Sequence, residues 1–245
     1  MSEPAWKDEG SSTRLVRARP AAWPVAPALE AERRQRERAR RRLDPRLVLL
    51  AEPRSERAAA FRLLCDSLIT KGLPRVLAVS STAPKEGKTT CAVNLALVLA
   101  ERSPGPVLLV DGNPFEPALA TMFSIDESTP TPRSLELPWL APFRLIPLTP
   151  TLHVAAIVRG GGEPPSPTEH DGFEILIERL SQVGYEHVFV DCPTLDGSAA
   201  VSRLLGVAEG VLLAVRSGRT TGRALRQAVE QIGQARALGV VLLED

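Results

Sequence analysis

Aromatic side chains are scarce in this chain of 245 residues, which holds one tyrosine, three tryptophans and six phenylalanines, 4% of the total. Hydrophobic residues still make up 44%. The core must therefore be aliphatic, as it is where a parallel sheet is covered by helices on both faces. Cysteine is equally sparse. Cys65, Cys91 and Cys192 lie far apart with no metal-ligand spacing, which favours a reducing cytosol. No apolar run approaches the roughly 18 residues that a membrane span needs, and no signal-peptide core follows the N-terminus. The net charge of +1 selects no partner by itself. What remains is the expectation of a soluble, cytoplasmic α/β protein, one domain with an appendage.

What is present gathers around residues 75–100, RVLAVSSTAPKEGKTTCAVNLALVLA. Arg75–Ser80 reads as a short buried strand, and Ser81–Gly87 as a polar turn containing Pro84 and Gly87. Lys88–Ala100 reads as a helix with Leu95, Leu97, Val98 and Leu99 on its apolar face. Strand, loop, Gly-Lys-Thr and helix in that order form a phosphate-binding loop. Loop amides and the helix N-terminus point at the anion, the lysine ammonium reaches the terminal phosphates, and the threonine hydroxyl ligates magnesium. Lys88 and Thr89 fill the last two places. The usual pattern has a second glycine five residues before Gly87, where this chain has Thr82.

The rest of the chain alternates strands and helices. Residues 1–50 carry 12 Lys+Arg against 7 Asp+Glu, and seven of those arginines fall in AERRQRERARRR, residues 31–42. This stretch reads as a disordered basic arm over residues 1–43, either a solvated helix or a patch for an anionic partner. Ala58–Thr70, with Phe61, Leu64, Leu68 and Ile69 at helical spacing, is a helix leading into the first strand. PVLLVDGN, residues 106–113, is a second buried strand ending in Asp111, at the sheet edge where ligands bind in open α/β folds. From Gly112 to His170 lie 11 of the 22 prolines. Within that stretch Leu152–Val158 alone reads as a strand, the remainder as a long ordered loop. Phe173–Gln182 is a helix, and YEHVFVDCP repeats the pattern of an apolar strand followed by an aspartate, Asp191. Carboxylates at such strand ends hold magnesium and help place the attacking group. Val211–Val215 is a further strand, Thr221–Ala237 a helix and Val240–Leu243 a final strand. The alternation implies an α/β domain over residues 44–245, a mostly parallel sheet flanked on both faces by helices.

As a set, SSTAPKEGKTT, VLLVDGNPFEP, HVFVDCPTLD and AEGVLLAVRSGRTTGRAL resemble the bacterial tyrosine kinases of capsule and exopolysaccharide export. Those kinases belong to the wider class of ParA/MinD-like P-loop ATPases. DPRLVLLAEPRSERAAAFRLLCDSL is similar to the leading helix of the family, and PLTPTLHVAAI and the Ser-Pro-Thr-Glu of residues 166–169 to the segment after the second motif. The resemblance implies ATP and Mg2+ as ligands, bound by Pro84, Lys85, Glu86, Gly87, Lys88, Thr89 and Thr90. Thr89, Asp111 and Asp191 would be the metal ligands, and Lys88, Asp111 and Asp191 the catalytic set. It implies a cytoplasmic protein, recruited to the inner face of the cell membrane by the cytoplasmic tail of a polysaccharide co-polymerase. Self-association is left open and nucleic acid is set aside.

The departures from the family pattern are specific. Lys85 replaces a backbone-permissive glycine, and the loop is expected to close provided φ stays negative there. Asn113 replaces the second aspartate of the Asp-x-Asp motif and brings no charge, while Phe115 stands where an arginine follows. Of the subunit-contact pattern Glu-x-x-Arg-x-x-Arg, the positions Ala59, Arg62 and Cys65 keep one residue. The sequence ends on Leu242-Leu243-Glu244-Asp245 without a tyrosine cluster, and Tyr185 is the single tyrosine. The expectation is an ATP-binding, kinase-like regulator of polysaccharide synthesis without tail autophosphorylation. Two alternatives stand beside it. One is a partitioning-type ATPase acting on DNA or membrane, which usually carries a lysine at the position of Ala83; the other is a nucleotide-dependent scaffold with negligible turnover.

Overall fold

The computed structural model describes residues 43–132, 143–158 and 173–244. The basic arm up to residue 42 and the Ser-Pro-Thr-Glu of 166–169 lie outside the described residues. Apolar runs of five to seven residues build the sheet: β1 (Val76–Ser81), β2 (Val107–Asp111), β3 (Phe143–Pro147), β4 (Leu152–Ile157), β5 (His187–Asp191), β6 (Gly210–Arg216) and β7 (Ala237–Leu243). Their order is β3-β4-β2-β5-β1-β6-β7. Every pairing is parallel except β3 with β4. Strands β1, β2 and β5 are buried along almost their whole length, as near-continuous Val/Leu runs require when both faces are covered.

Helices α1 (Val48–Ala51), α2 (Glu56–Thr70), α3 (Lys88–Ala100) and α4 (Leu119–Phe123) share one core with Leu77, Val79, Leu109 and Phe189 of the sheet. Helices α5 (Phe173–Ser181), α6 (Ala199–Gly206) and α7 (Gly222–Ile232) share the other, with Ala78, Leu108, Val110 and Val190. Alternate residues of each strand feed opposite cores, so the sheet is doubly covered. Helix α3 is buried throughout from Cys91 to Ala100. A helix apolar on every side belongs between other layers, and α3 packs between α2 and the sheet. Each leucine or valine so buried contributes about 1.5–3 kcal/mol. Helix α3 is thus among the most deeply buried elements of the described residues.

The structure corrects several expected boundaries. The stretch after Asp111 is not a single loop around one strand, because it contains α4 and the edge strand β3. Helix α6 was not expected at all; Ser198 caps it, accepting a bond from the Val201 amide at 3.2 Å. The helix expected over Thr221–Ala237 ends at Ile232, where Gly233 takes φ 85°, and the chain then turns into a last strand starting at Ala237. Helix α2 begins two residues before Ala58, capped by Ser55 through the Ala58 amide.

Candidate functional site

The loop between β1 and α3 is closed from within by a carboxylate. Glu86 is only 2% exposed. Its Oε2 accepts from the Thr82 hydroxyl at 2.9 Å and the Ala83 amide at 2.8 Å, and its Oε1 accepts from the Thr220 hydroxyl at the end of the β6–α7 loop. A buried carboxylate satisfied by three donors fixes the loop that holds it. Lys85 takes φ 63°. The expectation of a negative φ there is therefore wrong: the lysine sits where the related pattern has glycine, in a conformation costing roughly 1–2 kcal/mol for an L-residue. Gly87, the residue before α3, has φ 90°, and a Cβ on it would lie 2.1 Å from Leu243 Cδ1. The left-handed φ, rather than the movable end of Leu243, is what favours glycine there.

Downstream of Gly87, Lys88 and Thr89 open α3, and the Thr89 side chain lies close enough to Asp191 to pull its carboxyl down. Asp191 ends β5, in register with Asp111 at the end of β2. The two strand ends can close together because Gly112 carries no side chain: a Cβ there would meet Val190 Cγ1 at 2.6 Å and the Asp191 carbonyl oxygen at 2.9 Å. Both carboxyls are fully or almost fully buried, 0% exposed at Asp111 and 1% at Asp191. Burial first, and then the charge of Asp191, push the Asp111 carboxyl up to about 7, against the pull of the amides it accepts from. Burial also raises Asp191, to about 6, while the Thr89 side chain and the charges of Lys88 and Arg46 pull it down.

The two aspartates are used differently. Asp111 Oδ2 accepts from the amides of Ala118 and Leu119 at 3.0 and 3.1 Å, holding the start of α4, and its Oδ1 faces the Asn113 amide at 3.4 Å. Asp191 Oδ1 is buried without a hydrogen-bond partner. An orphaned buried carboxylate oxygen beside a threonine hydroxyl is a place where a divalent cation fits. Asn113 is 6% exposed and accepts from the Glu116 amide at 3.3 Å, a turn role rather than a charged one.

These groups lie at the C-terminal edge of the parallel strands, beside a cleft of about 1300 Å³. Pro84, Lys85, Glu86, Gly87, Lys88, Thr89 and Thr90 all line it, and α2 and β7 supply further wall through Arg57, Phe61 and Leu242. The sequence-expected loop residues are brought together as a set. Sequence reasoning missed Arg46, Thr220 and the part β7 plays beside the loop, because nothing in local spacing connects them to it. The thiols take no part: burial raises Cys65 to about 11 and Cys91 to about 12, and Cys192 further still.

Comparison with known proteins adds an independent line. No protein-family model matches the chain. The succinoglycan biosynthesis transport protein ExoP of Rhizobium meliloti (strain 1021) is 30% identical over 214 residues, 80% of this chain and 26% of ExoP. The tyrosine-protein kinase YwqD of Bacillus subtilis (strain 168) is 26% identical over 208 residues, 82% of this chain and 86% of YwqD. The chain thus spans about a quarter of the one relative and most of the other. Among solved structures, the kinase domain of the Escherichia coli tyrosine kinase ETK superposes with a TM-score of 0.64 at 20% identity, covering 81% of this chain and 79% of that one. The septum site-determining protein MinD of Pyrococcus horikoshii OT3, complexed with Mg-ADP, is more distant. Its TM-score is 0.52 at 18% identity, over 69% of each chain.

Proposed function

We propose that this chain, a homologue of the bacterial tyrosine-protein kinases of exopolysaccharide and capsule biosynthesis, binds ATP with magnesium in the cleft at the head of α3 and works as a regulator. The observation that carries the reading is the group formed by Lys88, Thr89 and the unpartnered oxygen of Asp191 at the end of a glycine-closed loop. The loop amides and the α3 N-terminus face the phosphates, and the Lys88 ammonium neutralises the terminal one. The Thr89 hydroxyl and Asp191 Oδ1 hold the cation. Asp111 keeps the α4 turn in place and adds negative charge behind it. When bound, the cation neutralises the phosphate oxygens, which is most of what phosphoryl transfer asks of a protein.

Nucleotide binding needs no more than these parts, whereas phosphorylation of tyrosine also needs an acceptor. Tyr185, the single tyrosine, is 5% exposed, and its hydroxyl lies 2.8 Å from His153 Nδ1. Burial raises it to about 12. It is spent in the core. In this regulatory reading, nucleotide state sets the hold of residues 44–245 on the cytoplasmic tail of a membrane polysaccharide co-polymerase, with the protein at the inner face of the membrane. Among the described residues no helix is long and apolar enough to cross a membrane. Incubating the purified chain with Mg-ATP and following bound nucleotide, released phosphate and phosphotyrosine separately tests the reading. Stoichiometric nucleotide without phosphotyrosine is expected. Phosphotyrosine that disappears in Tyr185→Phe would refute it.

A further inference from the structure

Five cationic side chains line the cleft: Arg46, Arg57, Lys85, Lys88 and Arg216. Arg46 differs from the others in how it is held. Asp44 grips its guanidinium with both carboxylate oxygens, Oδ1 accepting from Nε at 2.9 Å and Oδ2 from Nη2 at 2.6 Å, and Oδ1 also accepts from the Arg46 amide at 2.9 Å. The Arg46 carbonyl accepts from Asn94 Nδ2 at 2.7 Å. Asn94 is wholly buried, the one polar residue in the run from Cys91 to Ala100 of α3. It also donates to the Thr90 carbonyl at 2.7 Å and accepts from the Leu49 amide at 3.0 Å. A carboxamide placed in the middle of an apolar helix costs stability unless each of its groups is bonded, and here the bonds fasten the Arg46–Leu49 backbone to the first turns of the phosphate-loop helix.

A local Asp-Arg turn needs none of this. An arginine tied by its backbone to α3 and by its fork to Asp44 is preorganised, with Nη1 free of any partner among the described residues and the side chain 43% exposed at the cleft. Its charge reaches as far as buried Asp191. The same cleft is lined by the turn before α4, with Glu116 and Ala118, where Phe115 occupies the place of an arginine in the resembled motif. We infer that Arg46 is a second phosphate-binding cation of the site, its free Nη1 donating to an oxygen of the terminal phosphate of the nucleotide, with Asn94 as the positioning residue that keeps it there. The inference rests on the nucleotide reading above. A planar guanidinium suits it, since a fork held on one edge presents the other edge at a fixed angle.

The test is titration of the full chain with Mg-ATP, Mg-ADP and AMP, in the wild type, Arg46→Gln and Arg46→Lys, with melting temperatures of the ligand-free proteins alongside. Arg46→Gln should weaken Mg-ATP by roughly tenfold, the loss of one charge-assisted contact. It should weaken Mg-ADP less and leave AMP unchanged, with Arg46→Lys between wild type and Arg46→Gln for Mg-ATP. Equal weakening of all three nucleotides, or Mg-ATP affinity within twofold of wild type in Arg46→Gln, would overturn it. If Arg46→Gln melts far below wild type, the lysine variant decides: an ATP-selective loss supports the inference, and wild-type affinity for all three nucleotides overturns it. Wild type that binds no nucleotide would overturn the underlying reading as well, and is recognisable because no variant then differs.

Discussion

Lys85 is the residue that the phosphate loop accommodates least comfortably. Its φ of 63° is open to glycine at no steric cost, while a lysine there costs roughly 1–2 kcal/mol. Lys85→Gly gives back part of that through the entropy of a freer unfolded chain, about 0.5–1 kcal/mol. A net gain of up to about 1 kcal/mol is expected, read as a rise in melting temperature of about 2–4 °C for a chain of this size. Asp191 bears on stability in the same direction. Its folded carboxyl titrates near 6, above the ordinary 3.8, so the folded state binds the proton more tightly than the unfolded one. Stability is then greatest below the unfolded value and falls as pH rises through about 6. The ligand-free protein should melt lower at pH 8 than at pH 5. Asp191→Asn should lessen that fall and raise stability at pH 8, while the buried Asp111 carboxyl, itself raised, keeps part of it. A melting curve that keeps its full pH dependence in the variant would count against the burial argument. The loop residues Gly87, Lys88 and Thr89 were readable because their chemistry is written in consecutive letters. The bonds of Glu86 to Thr220 and of Asn94 to Arg46 join residues 134 and 48 positions apart, and no local pattern announces them.

At the scale of elements, legibility followed burial. Helix α3 was placed at Lys88–Ala100, the bounds it has, because a glycine before it and an unbroken apolar run within it leave little choice. The buried strands β1, β2, β5 and β6 were each placed within a residue or two for the same reason. Strand β3 was lost because Pro142 and Pro147 bracket it; on an edge a proline costs no ladder bond, so the usual stop signal misleads. The end of α7 was overrun because Ala235, Ala237 and Leu238 favour helix, and only the left-handed Gly233 says otherwise. Asn94 looked like an ordinary helix residue. Replacing it by leucine, close in shape, removes its hydrogen bonds and strands the Leu49 amide and the Arg46 carbonyl. Such losses cost about 1–3 kcal/mol for each group left unsatisfied. Asn94→Leu should therefore lower the denaturation midpoint despite added apolar volume; an unchanged or higher midpoint would show that the segment before α2 is held by packing alone.

For the whole molecule, the fold class was legible, and so was the meeting of the two aspartates with the Gly-Lys-Thr loop at one sheet edge. The helix that resembles the family's subunit-contact helix is tied within its own chain: Arg62 donates to the Pro53 carbonyl at 2.8 Å, and Cys65 is buried against the core. Only Ala59 of the three motif positions is exposed. The helix is thus ill suited to the charged insertion into a neighbour that the family pattern would provide.

The central claim is that the cleft at Lys88 takes Mg-ATP, and calorimetric titration of the wild type and Lys88→Ala with Mg-ATP tests it most directly. Loss of a charge-assisted phosphate contact is worth about 1.5–3 kcal/mol, roughly tenfold to a hundredfold in affinity. The wild type should bind with a stoichiometry near one, and the folded variant should bind at least roughly tenfold more weakly. Indistinguishable titrations of the two proteins, or no binding by the wild type, would contradict the account.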